Sequence, residues 1–389
     1  MAAYRLSRIQ QALERCEIDA IVLYDPINIR YATHSRNMLV WCLHNPVRYC
    51  FVPASGRPVL FEFRHSEHLA KDLPLAIQTR PAVAWSYFVA GSGIDRQAAV
   101  WAAEITQLLR ETMGAKAHRI AFDRLDPPGL RALTDRGLEV LDGQMPMERA
   151  RSLKNVDEIN CIRNAVEVSE IGMARVGKHL EPGKSENELW SLFHATNIEY
   201  GGDYVETRLF SSGPRTNPWF QECSDRLIED GDVVCHDTDM VGPHGYCVDV
   251  SRTYFCGSTE PAREQRNLFG LAVDQVRHNI ALVKPGLSFR EFASKAWQIP
   301  DEYYANRYAT TIHGIGMTYE WPRILHFRDW LNEDDNGRFE PNMVLCAESY
   351  IGAEGGSFGI KHTDQFIVTE SGCEVLSKFP LDASLSASY

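Results

Sequence analysis

Gly231-Asp-Val-Val-Cys-His-Asp237-Thr-Asp239-Met-Val-Gly-Pro-His-Gly-Tyr-Cys-Val-Asp249-Val-Ser-Arg-Thr-Tyr-Phe-Cys-Gly257 is the stretch whose reading decides the fold. An apolar run leads into Asp237, Gly-Pro-His-Gly makes a turn, and a second run from Tyr246 to Phe255 carries Asp249 among apolar neighbours. The pattern predicts a β-hairpin with three carboxylates. Carboxylates on neighbouring strands repel one another unless a cation, a bound proton or an arginine compensates. Most hairpin aspartates simply cap a turn and face water. Two features further along the chain argue against that here: His313-Gly-Ile-Gly, and Glu348 at the end of the apolar run Met343 to Ala347. Together they complete an Asp, Asp, His, Glu set suited to Mn, Fe or Zn.

The chain of 389 residues has room for two domains or one large one. Its 40 basic and 52 acidic residues give a formal charge of −12 without any Lys/Arg cluster, which argues against nucleic acid as a partner. No 18-residue apolar run occurs, and the start reads as a helix rather than an apolar signal core. A soluble, cytoplasmic protein is expected, with no membrane partner. The ten cysteines lack a paired CxxC spacing and read as reduced, mostly buried thiols.

In chain order, Tyr4 to Cys16 reads as a helix and Ala20 to Tyr24 as a buried strand ended by Asp25-Pro26. A hairpin over 49–53 and 58–63, a helix over 98–113 and a strand over 119–122 follow, an alternation typical of α/β folds. Between them, the segment from His34 to Arg48 holds an apolar run around Trp41 and then His44-Asn-Pro; a loop of this size usually binds something. A boundary falls near residue 147, giving an N-terminal α/β domain over 1–147 and a second domain over 148–389. Helices over 156–179 and 185–200 open the second domain, the latter with a Ser185/Glu188 capping box. The hairpin follows, then a helix over 261–283 and strands over 344–349, 359–368 and 375–378.

The hairpin, His313-Gly-Ile-Gly, Glu348 and Gly359-Ile-Lys-His-Thr-Asp364-Gln resemble the pita-bread family of methionine aminopeptidases, Xaa-Pro peptidases and creatinases. Asp25-Pro-Ile-Asn-Ile-Arg-Tyr-Ala-Thr, His44-Asn-Pro, Glu206-Thr-Arg-Leu, Ser212-Gly-Pro-Arg-Thr-Asn-Pro-Trp-Phe-Gln-Glu-Cys and Asp237-Thr-Asp are similar to dimethylsulfoniopropionate lyases of the DddP type, over nearly the whole chain. The resemblance implies an α+β protein, a pita-bread catalytic domain behind a smaller creatinase-like α/β domain. It implies metal ligands at Asp237, Asp239, Asp249, His313 and Glu348.

Three departures accompany the resemblance. The family's last glutamate, which bridges two metals, falls on Thr363, a poor and uncharged ligand. One divalent ion rather than two is therefore expected, and restoring a glutamate at 363 should raise the metal stoichiometry. His362 could replace it only through a bulge, because adjacent strand residues point to opposite faces. The residue that resembles a general base in the lyases is here Tyr319, a phenol with an ordinary pKa near 10 that acts as a base only if a cation lowers it. The histidines of Xaa-Pro peptidases fall on Phe220 and Tyr319, and an expected arginine on Lys361, which counts against a peptidase.

The aromatic residues Trp219, Phe220, Tyr308 and Trp321 suit a sulfonium or quaternary ammonium group. Arg215 or the metal would hold the substrate carboxylate. The reading is an elimination on a small zwitterionic onium substrate, with Tyr319, His313 and Asp249 as catalytic residues. Trp41 and His44 are expected to close the partner's site in a homodimer. The alternatives are hydrolysis of a small amide, amidine or Xaa-Pro dipeptide, and a non-catalytic homologue whose site has decayed and holds no metal.

Overall fold

Ala20-Ile-Val-Leu23 is a run of four apolar residues, and it forms the strand (β1, Ala20–Leu23) around which the first part of the chain is built. Strands β2 (Tyr49–Pro53), β3 (Val59–Glu62), β4 (Gln78–Pro81), β5 (Arg119–Phe122) and β6 (Glu139–Asp142) complete a sheet of order β4-β3-β2-β1-β5-β6. β1 pairs antiparallel with β2 and parallel with β5. The helix Ile94–Met113 turns Ala98, Trp101, Ala102, Ile105 and Leu109 inward at helical spacing. These side chains meet Tyr49, Phe51, Phe61 and Ile120 in one core.

The computed structural model describes residues 1–75, 77–331 and 337–386, and in it the chain divides into two units, Met1–Arg151 and Ser152–Tyr389. The helix Gln144–Arg151 runs through the boundary read at residue 147 and lies against the helix Ala2–Arg15. Asp25-Pro26 does more than end a strand. The Asp25 carboxylate accepts from the Ile27 amide at 2.8 Å, with Pro26 in the first turn, and so opens the helix Pro26–Thr33.

The segment read as a loop from His34 to Arg48 contains the short helix Leu39–His44. A buried ion pair anchors it. Arg48 Nε donates to Glu62 at 3.1 and 3.2 Å, and Arg48 Nη2 donates to Ser35 at 2.6 Å. Both charged side chains are fully buried. Removing one member of such a pair leaves the other charge buried and uncompensated. Arg48→Ala is expected to cost about 3–5 kcal/mol, read as a shift of the urea midpoint at constant slope. A loss below about 1 kcal/mol would mean that the pair does not hold the segment.

In the second unit, capping boxes at Asn155/Glu158 and Ser185/Glu188 start the helices Val156–His179 and Glu186–Glu199, where the sequence placed them. The strands here are β7 (Tyr204–Val205), β8 (Phe210–Ser212), β9 (Asp232–Asp237), β10 (Met240–Val241), β11 (Cys247–Val248), β12 (Ser251–Cys256), β13 (Thr310–Ile315), β14 (Tyr319–Leu325), β15 (Val344–Ile351), β16 (Ile360–Val368) and β17 (Cys373–Val375). The main sheet runs β14-β13-β15-β16-β12-β9-β8, with β17 beside β16. A small sheet of order β11-β10-β7 carries the tip of the hairpin. On one face of the main sheet, Ile312, Leu345, Ala347, Phe366 and Val368 pack with Val276 and Ile280 of the helix Arg263–Leu282. All ten cysteines are free, seven of them buried. No helix among the described residues is long and apolar enough to cross a membrane.

Candidate active site

Strand register assembles the site. Asp237 lies opposite Ser251 on β12, Ser251 opposite Thr363 on β16, and Thr363 opposite Glu348 on β15. His313 on β13 lies opposite Cys346, two residues from Glu348 on the same strand face. Paired residues share a face of a sheet, so one row across five strands carries Asp237, Ser251, Thr363, Glu348 and His313. The opposite face is the apolar one described above.

The hairpin reaches this row because both of its strands break. Thr238-Asp239 separates β9 from β10, and Asp249-Val250 separates β11 from β12. Asp239 has φ 35°, a left-handed conformation that aspartate tolerates better than most residues. Thr238 closes the gap across the break, accepting from the Val250 amide at 3.0 Å and donating to the Val248 carbonyl at 3.2 Å. As a result Asp237, Asp239 and Asp249 each place a carboxylate oxygen within 4.8 Å of the others. The two strands and the later elements converge as the sequence implied. His313 Nε2 lies 3.0 Å from both Asp249 Oδ2 and Glu348 Oε1.

These groups perturb one another strongly. Burial raises the Asp239 carboxyl to about 7, with Asp237 adding repulsion. Burial and the Glu348 charge push Asp249 well above the ordinary carboxylate range. Burial opposes a charge on His313, yet the Asp249 and Glu348 carboxylates outweigh it and raise the imidazole to about 10. Glu348 goes the other way: burial would raise it, but the Lys361 ammonium, with His313, brings it to about 2. Protons thus supply the compensation that a bound cation would provide.

The donor set fits a divalent ion. Asp249 Oδ1 is buried without a hydrogen-bond partner among the described residues, beside an imidazole and further carboxylates. An ion entering here must displace protons from Asp249 and His313. Its affinity is therefore expected to rise with pH between 6 and 8, by about tenfold per unit for each proton released, in competition with a chromophoric chelator. A pH-independent affinity would remove these two residues from the ligand set.

The remaining expected residues separate into two groups. Trp219, Phe220 and Tyr308 come together, with ring centroids 6.4 Å apart for Trp219 and Phe220 and 5.5 Å for Phe220 and Tyr308. Phe220 is 62% exposed and has φ 72°. Tyr308 lies close enough to the cluster for Glu348 and Asp249 to add to the effect of burial in raising its hydroxyl. Tyr319 also joins the site. Its hydroxyl donates to Asp239 Oδ1, Thr207 donates to the other oxygen, and its ring lies 5.0 Å from His313. Burial, with Asp249 and Asp239, holds this phenol well above its ordinary value, so it is a proton donor to Asp239 in the metal-free site.

Arg215 and Trp321 lie elsewhere. The Arg215 guanidinium is engaged by the buried Glu186 and the Glu222 carbonyl, so it anchors the 211–224 loop and is not open to a substrate carboxylate. Glu186 also accepts from Ser212 and Ser224, which explains why the loop needs a charged clamp there. Trp321 is turned into the core against Phe289, at 5.3 Å, because the pairing of β13 with β14 shifts register between His313 and Gly314. Trp41, 39% exposed, lies 5.5 Å from Phe63, and His44 lines a cavity with Tyr24, Pro46, Trp85 and Arg124; both belong to the first unit. β16 pairs with β15 without a bulge, so His362 points to the opposite face, 3.5 Å from Asp364, and does not replace the missing glutamate.

The sequence did not point to Ser251 or Thr207 as members of the site, and it marked Lys361 only as standing where Xaa-Pro peptidases carry an arginine. Lys361 Nζ lies 2.5 Å from Glu348, 2.9 Å from Ser251 and 3.4 Å from Asp237, and it also touches Thr363. The period-two spacing of Lys361 and Thr363 was the available signal.

Residues 160–370 match metallopeptidase family M24, and residues 5–152 match the creatinase/prolidase N-terminal domain. Dimethylsulfoniopropionate lyase DddP of Roseovarius nubinhibens is 36% identical over 390 residues, 99% of this chain and 87% of that protein. The DddP of Roseobacter denitrificans is 35% identical over the same shares. Among solved structures, an Xaa-Pro dipeptidase from Bacillus anthracis superposes with a TM-score of 0.80 at 21% identity, covering 98% of this chain and 99% of that one. The chain therefore belongs to metallopeptidase family M24, a pita-bread protein with a creatinase/prolidase N-terminal domain and with similarity to the DddP lyases along its whole length.

Proposed function

We propose that the protein is a metal-dependent lyase that eliminates a neutral leaving group from a small zwitterionic onium compound, dimethylsulfoniopropionate being the first to test. The observation that carries the reading is the aromatic wall of Trp219, Phe220 and Tyr308 beside a carboxylate cluster, in a chain whose relatives over its full length are named as such lyases. Aromatic faces attract a sulfonium group without neutralising it. When bound, a divalent ion held by Asp249, His313 and Glu348 supplies a Lewis acid for charge that builds on the substrate carboxylate.

Tyr319 is the proposed base. The bond from hydrogen to the carbon beside the carboxylate breaks, and its electron pair becomes the new double bond. The carbon–sulfur pair leaves with sulfur as a neutral sulfide. The substrate proton goes to the Tyr319 oxygen while the phenolic proton passes to Asp239, which already accepts it. Asp239, at about 7, is matched to that task near neutral pH.

The family match also favours a second reading, metal-assisted hydrolysis of an Xaa-Pro dipeptide or a small amide. One experiment separates them. Metal-loaded protein is incubated with dimethylsulfoniopropionate and, separately, with an Xaa-Pro dipeptide, and sulfide and free proline are measured. Sulfide release without proline release is expected. Proline release alone would move the protein to the hydrolases, and silence from both, with no metal retained, would mean a non-catalytic homologue.

A homodimer with shared sites is part of the proposal. Met38, Val40, Trp41 and Leu43 are exposed on a segment that the Arg48–Glu62 pair holds in place. An ordered apolar strip of this kind calls for a covering surface. Trp41→Ala is expected to lower activity by about tenfold or more with metal content unchanged, which is the range for losing one well-buried aromatic contact. A monomer in sedimentation velocity would refute the shared site.

A further inference from the structure

The oxygens of the four acidic side chains are not equally committed. Asp237 is held by Ser251 at 2.6 Å and faces Lys361 at 3.4 Å. Asp239 accepts from Tyr319 and Thr207. Glu348 meets His313 at 3.0 Å, Lys361 at 2.5 Å and the Thr363 hydroxyl at 2.9 Å. Only Asp249 keeps a buried oxygen without a hydrogen-bond partner among the described residues. The Lys361 amine is completely buried and touches Asp237, Glu348, Ser251 and Thr363 together, with the Tyr308 ring centroid 4.8 Å away. Lys361 and Thr363 share one face of β16, and a glutamate at 363 would extend past the threonine oxygen directly onto the ammonium.

We propose that Lys361 is a tethered cation that takes the place of one of the two metal ions that two-metal members of this fold hold, leaving a single exchangeable divalent ion on Asp249, His313 and Glu348. An ammonium offers three donors, and Glu348, Ser251 and Thr363 take them. No chelator removes it. Thr363 is then a fitted partner and not merely a lost ligand, because its hydroxyl both contacts the amine and donates to Glu348.

Metal analysis tests this without any turnover, so its outcome is separate from that of the lyase assay. Each protein is reconstituted with Mn²⁺, desalted and analysed for metal by mass spectrometry. About one ion per chain is expected for the native chain and for Thr363→Glu, whose new carboxylate pairs with the ammonium; about two are expected only for Lys361→Met combined with Thr363→Glu. This revises the expectation that Thr363→Glu alone restores the second ion. Two ions or none in the native chain, two in Thr363→Glu, or one in the folded double variant would each overturn the proposal. Should the double variant fail to fold, Lys361→Met is melted with and without Mn²⁺. Its melting temperature should rise with Mn²⁺ by more than that of the native chain, because the ion then supplies the missing charge. An equal rise in the two proteins would overturn the proposal.

Discussion

Tyr319→Phe is expected to lower the rate of elimination by about 100- to 10,000-fold, the usual worth of a positioned acid or base, while metal content stays the same. The substitution removes one oxygen and leaves the ring against His313, so the shape of the site survives. Direction with pH is a second signature. The relay works only while Asp239 is free to accept the phenolic proton, so the native rate should climb as pH rises through the Asp239 value of about 7, or lower once an ion sits nearby. The phenylalanine variant should show no such climb. If Tyr319→Phe keeps most of the activity, the phenol is only a wall of the site and the base lies elsewhere.

Asp249→Asn is expected to abolish retention of the divalent ion, with affinity falling by more than about 100-fold, beyond the range for residues that merely support a ligand. Asp249 faces His313 at 3.0 Å and also lies with Asp237 and Asp239, and among the described residues it alone belongs to both of these groups. The carboxamide keeps the volume and loses the charge. Equilibrium dialysis against Mn²⁺ checks the effect, and circular dichroism checks that the fold persists. Metal binding within about tenfold of the native value would place the ion on Asp237 and Asp239 instead.

Much of the architecture was legible in the chain because local signals were strong and agreed with one another. The Ser185/Glu188 capping box marked the start of Glu186–Glu199, and the apolar run from Met343 to Ala347 marked β15. Signals that were short or bent were not legible. The helix Pro26–Thr33 hid behind a dipeptide read as a strand end, and the breaks at Thr238-Asp239 and Asp249-Val250 hid inside two continuous apolar patterns. Trp321 reads as a pocket residue two positions after Tyr319, until the register shift beside His313 turns it into the core.

By itself the sequence offered the candidate residues of the centre: three aspartates, one histidine and one glutamate, with, by resemblance to the family, a threonine where its relatives carry a bridging carboxylate. It also placed most of the helices and strands, because hydrophobic periodicity and caps act over a few residues and need no distant partner, while the fold itself was implied by the resemblance of its motifs to the pita-bread family. Tertiary structure alone decided which charges balance. Whether Arg215 is open or held depends on Glu186, nearly thirty positions earlier, and whether the cluster waits for two cations or one depends on Lys361 reaching across β16 to Glu348, Asp237 and Ser251. Electrostatic compensation depends on distance and burial, and neither is a property of spacing along the chain.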